Sequence, residues 1–148
     1  MDENKTSGIS IECVHLLECE ARLLDKPEKL DFNMIITRLA RKEEGNQLFV
    51  EVSFDMMGEI EHPACILRCT FGAQYSRNDE SQMTWRDFSD GLAVMHMVPF
   101  VREFVSSVTL RMPLPALILQ PTNVNMLVAD YKLRKTSEAA TKVAAAQN

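Results

Sequence analysis

From Ile9 to Leu23 apolar residues fall mainly on odd positions, with Glu12, Glu18, Glu20 and Arg22 between them and Val14 and Leu16 out of phase. Period two is the mark of a half-buried strand, and it outweighs the helix propensity of the Glu, Ala, Arg and Leu residues present. Leu30, Phe32, Met34 and Ile36 alternate with polar residues as a second strand, and Lys42 to Asn46 reads as a turn. Leu48, Val50, Val52, Phe54 and Met56 form the inner face of a third strand. After a break at Gly58–Pro63, Cys65, Leu67, Cys69, Phe71, Ala73 and Tyr75 line a fourth. Short links between these strands require antiparallel pairing. Four strands followed by helices predict an α+β domain with the helices on one sheet face.

The period then changes. Arg77 to Ser81 is polar loop, and Thr84 is a candidate N-cap for a short helix, Trp85 to Asp90, ended by Gly91. Leu92 to Leu110 is the main helix. Met97, Val101, Phe104 and Val108 form its apolar stripe, widened by Phe100 and Val105, while Arg102, Glu103, Ser106 and Ser107 make the polar side. Asn123 or Asn125 caps a last helix in which Leu127 and Tyr131 share a face. The ordered core is expected over residues 9–131 of a single domain. Residues 1–8 and 132–148 are expected as tails, the second helical or frayed.

Between the two long helices lies Met112-Pro113-Leu114-Pro115-Ala116-Leu117-Ile118-Leu119, followed by Pro121. Prolines forbid a helix there and strip ladder bonds from any central strand. A stiff, apolar loop without charge either clamps onto the protein's own core or offers apolar surface to something else.

The flanks of that loop carry a resemblance. Pro99-Phe100-Val101-Arg102-Glu103 precedes a hydroxyl-rich turn, Ser106-Ser107, and Arg111. Pro115-x-Leu117-x-Leu119-x-Pro121-x-Asn123 then leads to Tyr131 in a gapless register. This resembles the signature of the protein-export chaperone SecB. The resemblance implies a SecB-like α+β fold and a homotetramer built as a dimer of dimers. Its activity would be a nucleotide-independent holdase that keeps unfolded precursor polypeptides competent for the Sec pathway and hands them to the motor SecA. It places a client groove at Met112, Leu114, Leu117, Ile118, Leu119, Phe71 and Tyr75. Subunit contacts are expected at Phe100, Arg102, Glu103 and Phe104, and a SecA-facing surface at Glu18, Glu20 and Arg68. Two acids of that surface are replaced here by Leu24 and Arg68. Some SecB-like proteins instead serve one dedicated client, such as an antitoxin, and this is the alternative. A module binding one folded partner through a flat sheet face is a third reading.

Composition narrows these readings. With 46% apolar and 25% charged residues the chain is an ordinary globular domain. A net charge of −5 lacks the basic footprint of a nucleic-acid binder. No run reaches the roughly 20 apolar residues needed to span a bilayer, and the acidic start is unlike a signal peptide, so a cytoplasmic location is expected. Cys13, Cys19, Cys65 and Cys69 are then expected as free thiols filling small buried apolar sites, without a metal. On a strand, Cys65 and Cys69 stand about 13 Å apart, too far to share an ion. His15, His62 and His96 have no metal spacing, with His15 expected in the core or an interface. No phosphate-binding glycine loop or catalytic constellation occurs, so neither an enzyme nor a cofactor is expected. Nine methionines, among them Met56, Met57, Met95, Met97 and Met112, suit either core filling or a surface accepting varied apolar shapes.

Overall fold

A computed structural model describes residues 8–26, 29–115, 117 and 119–147. Ile118 therefore lies outside the described residues. Strands β1 (Ile9–Leu23), β2 (Ile35–Glu44), β3 (Gln47–Asp55) and β4 (Cys65–Arg77) precede helices α1 (Asp90–Thr109) and α2 (Val124–Ala146). The sheet order is β1-β4-β3-β2, and every pairing is antiparallel. This is the α+β class the alternation predicts. Both helices lie on the face carried by Leu48, Val50, Val52 and Phe54 of β3 and by Cys65, Leu67, Cys69, Phe71, Ala73 and Tyr75 of β4. All ten are buried together with Val94, Met97, Val101 and Val105 of α1.

The apparent faults in the β1 alternation are structural. Register shifts fall between Ile11 and Cys13 and between Leu16 and Glu18, each an extra residue that reverses the phase. Ile9 and Ile11, then Val14 and Leu16, then Cys19, Ala21 and Leu23 therefore pair with inward residues of β4. Cys13 and His15 pair instead with Gln74 and Gly72 on the outer face. His15 is exposed on the outer sheet face and is therefore not a core histidine. Cys65 and Cys69 are buried as anticipated, but Cys13, on the outer face, is only half-buried, and Cys19, on the inner face of the edge strand β1, is exposed.

Three boundaries also move. The stretch Leu30–Met34 is not a strand; Asn33 makes one isolated parallel bridge to Met57, and its side chain donates to Gly58 O at 2.9 Å. The β2–β3 turn tightens to Gly45-Asn46, with Gly45 left-handed at φ 57°. Trp85–Ser89 is a turn, not a helix, and Asp90 already opens α1. Asp87 accepts from the N–H and hydroxyl of Thr84, at 2.9 and 2.8 Å, and its own N–H donates to Thr84 O at 3.1 Å, closing a single turn. Ser89 caps α1 instead, accepting from Leu92 N–H, and Gly91 lies in the first turn. Arg41 of β2 fixes this turn by donating to Trp85 O and Phe88 O, both at 2.6 Å, and to Asp90 at 3.0 Å. Asn123 caps α2, which continues through the expected tail to Ala146.

Candidate functional site

The proline-rich loop leaves α1 through a tight turn and returns across the helix. Its prolines keep it out of any ladder, so its backbone groups need other partners. A polar row on α1 supplies them. Arg102 donates to Leu119 O at 2.9 Å and Ser106 to Leu117 O at 3.3 Å. Thr109, fully buried, accepts from Leu117 N–H at 3.2 Å while donating to Val105 O at 2.8 Å. Positions 102, 106 and 109 share one helix face. Between these bonds Leu117 and Leu119 insert into the core.

The clamped loop forms one wall of a trough. A cavity of about 330 Å³ is bounded by Phe32, Asn33, Met34, Leu119, Pro121, Met126, Leu127 and Asp130. A second, of about 340 Å³, continues along α2 past Leu133 and Arg134, with Glu59 opposite, and shares Asn33, Met34, Leu127 and Asp130. Met126 and Leu133, one heptad apart on α2, are 60% and 67% exposed. Asn33 and Met34 are held by the Asn33–Gly58 bonds. Tyr131 and Arg134 fix α2, the tyrosine hydroxyl accepting from Leu39 N–H at 3.2 Å and the arginine donating to Ile36 O at 2.8 Å.

A second apolar area lies between β1 and α1. Ile11, Leu16 and Phe100 are all substantially exposed there. Phe71 forms its floor, with ring centroids 6.4 Å from Phe100 and 6.5 Å from Phe104.

No family model and no curated protein matches the chain. Among solved structures, it matches a SecB-like chaperone from Mycobacterium tuberculosis, determined in complex with a ChAD peptide from the HigA1 antitoxin. The TM-score is 0.65 at 18% identity, over 79% of this chain and 92% of that one. This chain has a SecB-like fold. A protein of unknown function from Streptococcus agalactiae also matches, with TM-score 0.49, 12% identity and coverage of 76% and 97%.

On this SecB-like fold the anticipated groove residues separate into two groups. Phe71, Tyr75, Leu117 and Leu119 are core residues, and only Leu119 also lines the trough; Met112 and Leu114 are half-buried at the loop's start. Burial pushes the Tyr75 hydroxyl up to about 12, and its partner is His96 Nδ1 at 3.1 Å. Arg102 is committed to the loop, Glu103 is exposed, and Phe100 and Phe104 border the second apolar area. Of the watched methionines, Met56, Met57 and Met97 fill the core; Met95 is exposed and Met112 half-buried.

Glu18, Glu20 and Arg68 lie together on the outer sheet face, around a shallow depression with Thr37, Ser53 and Thr70. Arg68 is not an isolated reversed charge. It pairs with Asp55 at 3.3 Å and Glu20 at 3.5 Å, consuming part of the acidity of that face. Among the described residues no group of three or more His, Cys, Asp or Glu is placed to hold a metal, and no helix is long and apolar enough to cross a membrane.

Sequence reasoning missed Phe32, Met34, Met126, Leu127 and Asp130, which meet only through the fold. The polar row at 102, 106 and 109 was a readable signal, because three hydrogen-bonding residues on one face of a buried helix require partners.

Proposed function

We propose that this chain is a nucleotide-independent chaperone that holds extended polypeptide segments along the trough beside α2. The observation that carries the reading is the trough itself, an open channel that combines Phe32, Met34, Leu119, Met126 and Leu133 with polar Asn33, Glu59, Asp130 and Arg134, and whose loop wall is pinned by three side chains. A wall ordered beforehand lowers the entropy cost of holding a flexible chain. Methionines and leucines select loosely, since apolar burial is non-directional and Met adapts its shape. The SecB-like fold supports the reading, and the similar mycobacterial protein holds an antitoxin peptide.

The apolar area around Ile11, Leu16 and Phe100 supports assembly with further copies, as the tetramer of the SecB family would require. Two clienteles remain distinct: precursors passed to SecA for export in the cytoplasm, and a single dedicated client such as an antitoxin. The pairing of Arg68 with Glu20 and Asp55, with exposed Leu24 nearby in place of an acid, favours the dedicated client. An outer face so neutralised attracts a basic motor less.

The test is suppression of aggregation of a chemically denatured protein without nucleotide. Met126→Asp with Leu133→Asp is expected to abolish protection and leave circular dichroism and oligomer size unchanged, because both side chains are already exposed. Undiminished protection by this variant would remove the trough from the function. Mass spectrometry of clients captured from the native cytosol separates the two clienteles: one antitoxin against many precursors.

A further inference from the structure

We propose that Cys19 and Cys69 form an oxidant-sensitive dithiol site that closes to an intrachain disulfide across the β1–β4 seam. The two are direct partners in the antiparallel register. Cys69 points to the helix-covered face, as does its β3 partner Phe54, which is buried. Directly paired residues share a face, so Cys19 points the same way.

The kind of pair follows from the backbone bonds. Leu24 N–H donates to Ala64 O at 2.8 Å, which places a hydrogen-bonded position at 24/64. Alternation then makes 22/66 and 20/68 hydrogen-bonded and leaves 23/65, 21/67 and 19/69 as the intervening kind. Met56 N–H donates to Leu67 O at 2.9 Å, so Leu67, and with it Cys69, turns its backbone groups toward β3 and away from β1. Both routes give Cys19/Cys69 as a non-hydrogen-bonded pair, where Cα atoms stand about 4.5 Å apart and side chains come closest. That separation falls within the roughly 4.4–6.8 Å range of disulfide Cα pairs. Leu23 and Cys65 show the same geometry with only one sulfur, and Cys13 faces Gln74 on the opposite side of the sheet. Among the four cysteines, no other pair in the registers is directly opposed.

The two thiols differ in access. Cys19 is exposed and meets the oxidant, whereas Cys69 is 2% exposed. Burial, and to a lesser degree Cys19, pushes the Cys69 thiol up to about 12, which keeps it protonated and protected from direct oxidation. With hydrogen peroxide as oxidant, Cys19 sulfur attacks the O–O bond and takes one oxygen as a sulfenic acid, while the other leaves as water. Cys69 gives its proton to the sulfenic oxygen as its sulfur attacks the Cys19 sulfur; the S–O bond breaks and a second water departs with the disulfide formed. Each closure consumes one peroxide and two thiol hydrogens.

The full-length protein, treated with hydrogen peroxide, alkylated and mapped without reduction, is expected to yield a peptide joining Cys19 to Cys69. Two of its four thiols should be lost, and dithiothreitol should restore both. In Cys19→Ser the Cys69 thiol should survive the same treatment, and in Cys69→Ala Cys19 should proceed to sulfinic acid. Recovery of Cys69 alkylated while Cys19 is oxidised, or a bond from Cys19 to another chain in place of the internal one, would overturn the proposal.

Discussion

Thr109 tests whether the proline-rich loop is held by side-chain chemistry or only by the burial of its leucines. Its hydroxyl is the partner of the buried Leu117 N–H. Thr109→Val keeps the shape and removes the acceptor. Val105 O loses a side-chain donor but remains inside α1, so its loss is minor. The Leu117 N–H is left buried without a partner, at a cost of about 1–3 kcal/mol. Thr109→Ser is the control. It keeps the hydroxyl and loses one methyl, at a cost of about 0.8 kcal/mol. The expected order of stability is therefore wild type, then serine, then valine. With a urea slope of about 1–3 kcal/mol per molar, the valine midpoint falls by roughly 1 M. Native-state hydrogen exchange should show the Leu117 amide protected in the wild type and serine proteins and fast in the valine variant. Because Leu119 lines the trough, peptide affinity should fall with the valine substitution as well. A valine variant as stable as the wild type, or more stable than the serine one, would refute the clamp and leave apolar burial as the whole restraint.

Two further outcomes follow from burial and backbone geometry. Burial raises the pKa values of Cys69 and Tyr75 to about 12 from 9.0 and 10.0, so the folded state keeps protons that the unfolded chain releases. Their contribution is intact below pH 9 and is lost as pH rises toward 12, with a slope of at most about 1.4 kcal/mol per pH unit for each group; urea midpoints should fall over that window, and Tyr75→Phe should flatten the fall. A Cβ at Gly58 would lie 2.3 Å from Ile35 Cγ1, inside the sheet's packing, whereas one at Gly72 would meet only the tip of exposed Leu17 at 2.8 Å. Gly58→Ala should therefore cost about 1–3 kcal/mol, while Gly72→Ala should change thermal stability by no more than roughly 1 kcal/mol; equal effects would contradict this packing.

The sheet was legible because its inward positions alternate without interruption in β3 and β4. In β1 the same signal was present but misread, since Val14 and Leu16 looked like exceptions and are the phase of a segment between two bulges. A phase lasting only three residues is too short to distinguish from noise by periodicity alone. The short helix at Trp85 failed for a different reason. Thr84 closes one turn with Asp87 that does not propagate into a helix, and Ser89 begins α1. Past Tyr131 the sequence offers little to bury, yet Ala, Lys, Arg and Glu sustain a helix by local propensity. The trough was beyond reach because Phe32 and Met34 come from an irregular segment about ninety residues away from Met126 and Leu127.

The two edges of the sheet are treated differently, and α2 is the reason. At β2, Tyr131 and Arg134 occupy an amide and a carbonyl that would otherwise remain open for pairing with another strand. The bonds that protect this edge also set the angle at which α2 stands over Met34 and Asn33, so the guard and the trough wall are one element. Tyr131 turns toward the sheet and Met126 and Leu133 stand exposed along the trough, while Arg134 both reaches Ile36 O and borders the trough. Edge protection and the trough wall therefore meet at Arg134. Substitutions at 126 and 133 can alter what the trough accepts without releasing β2. Loss of the Tyr131 hydroxyl should instead loosen the helix and the edge together.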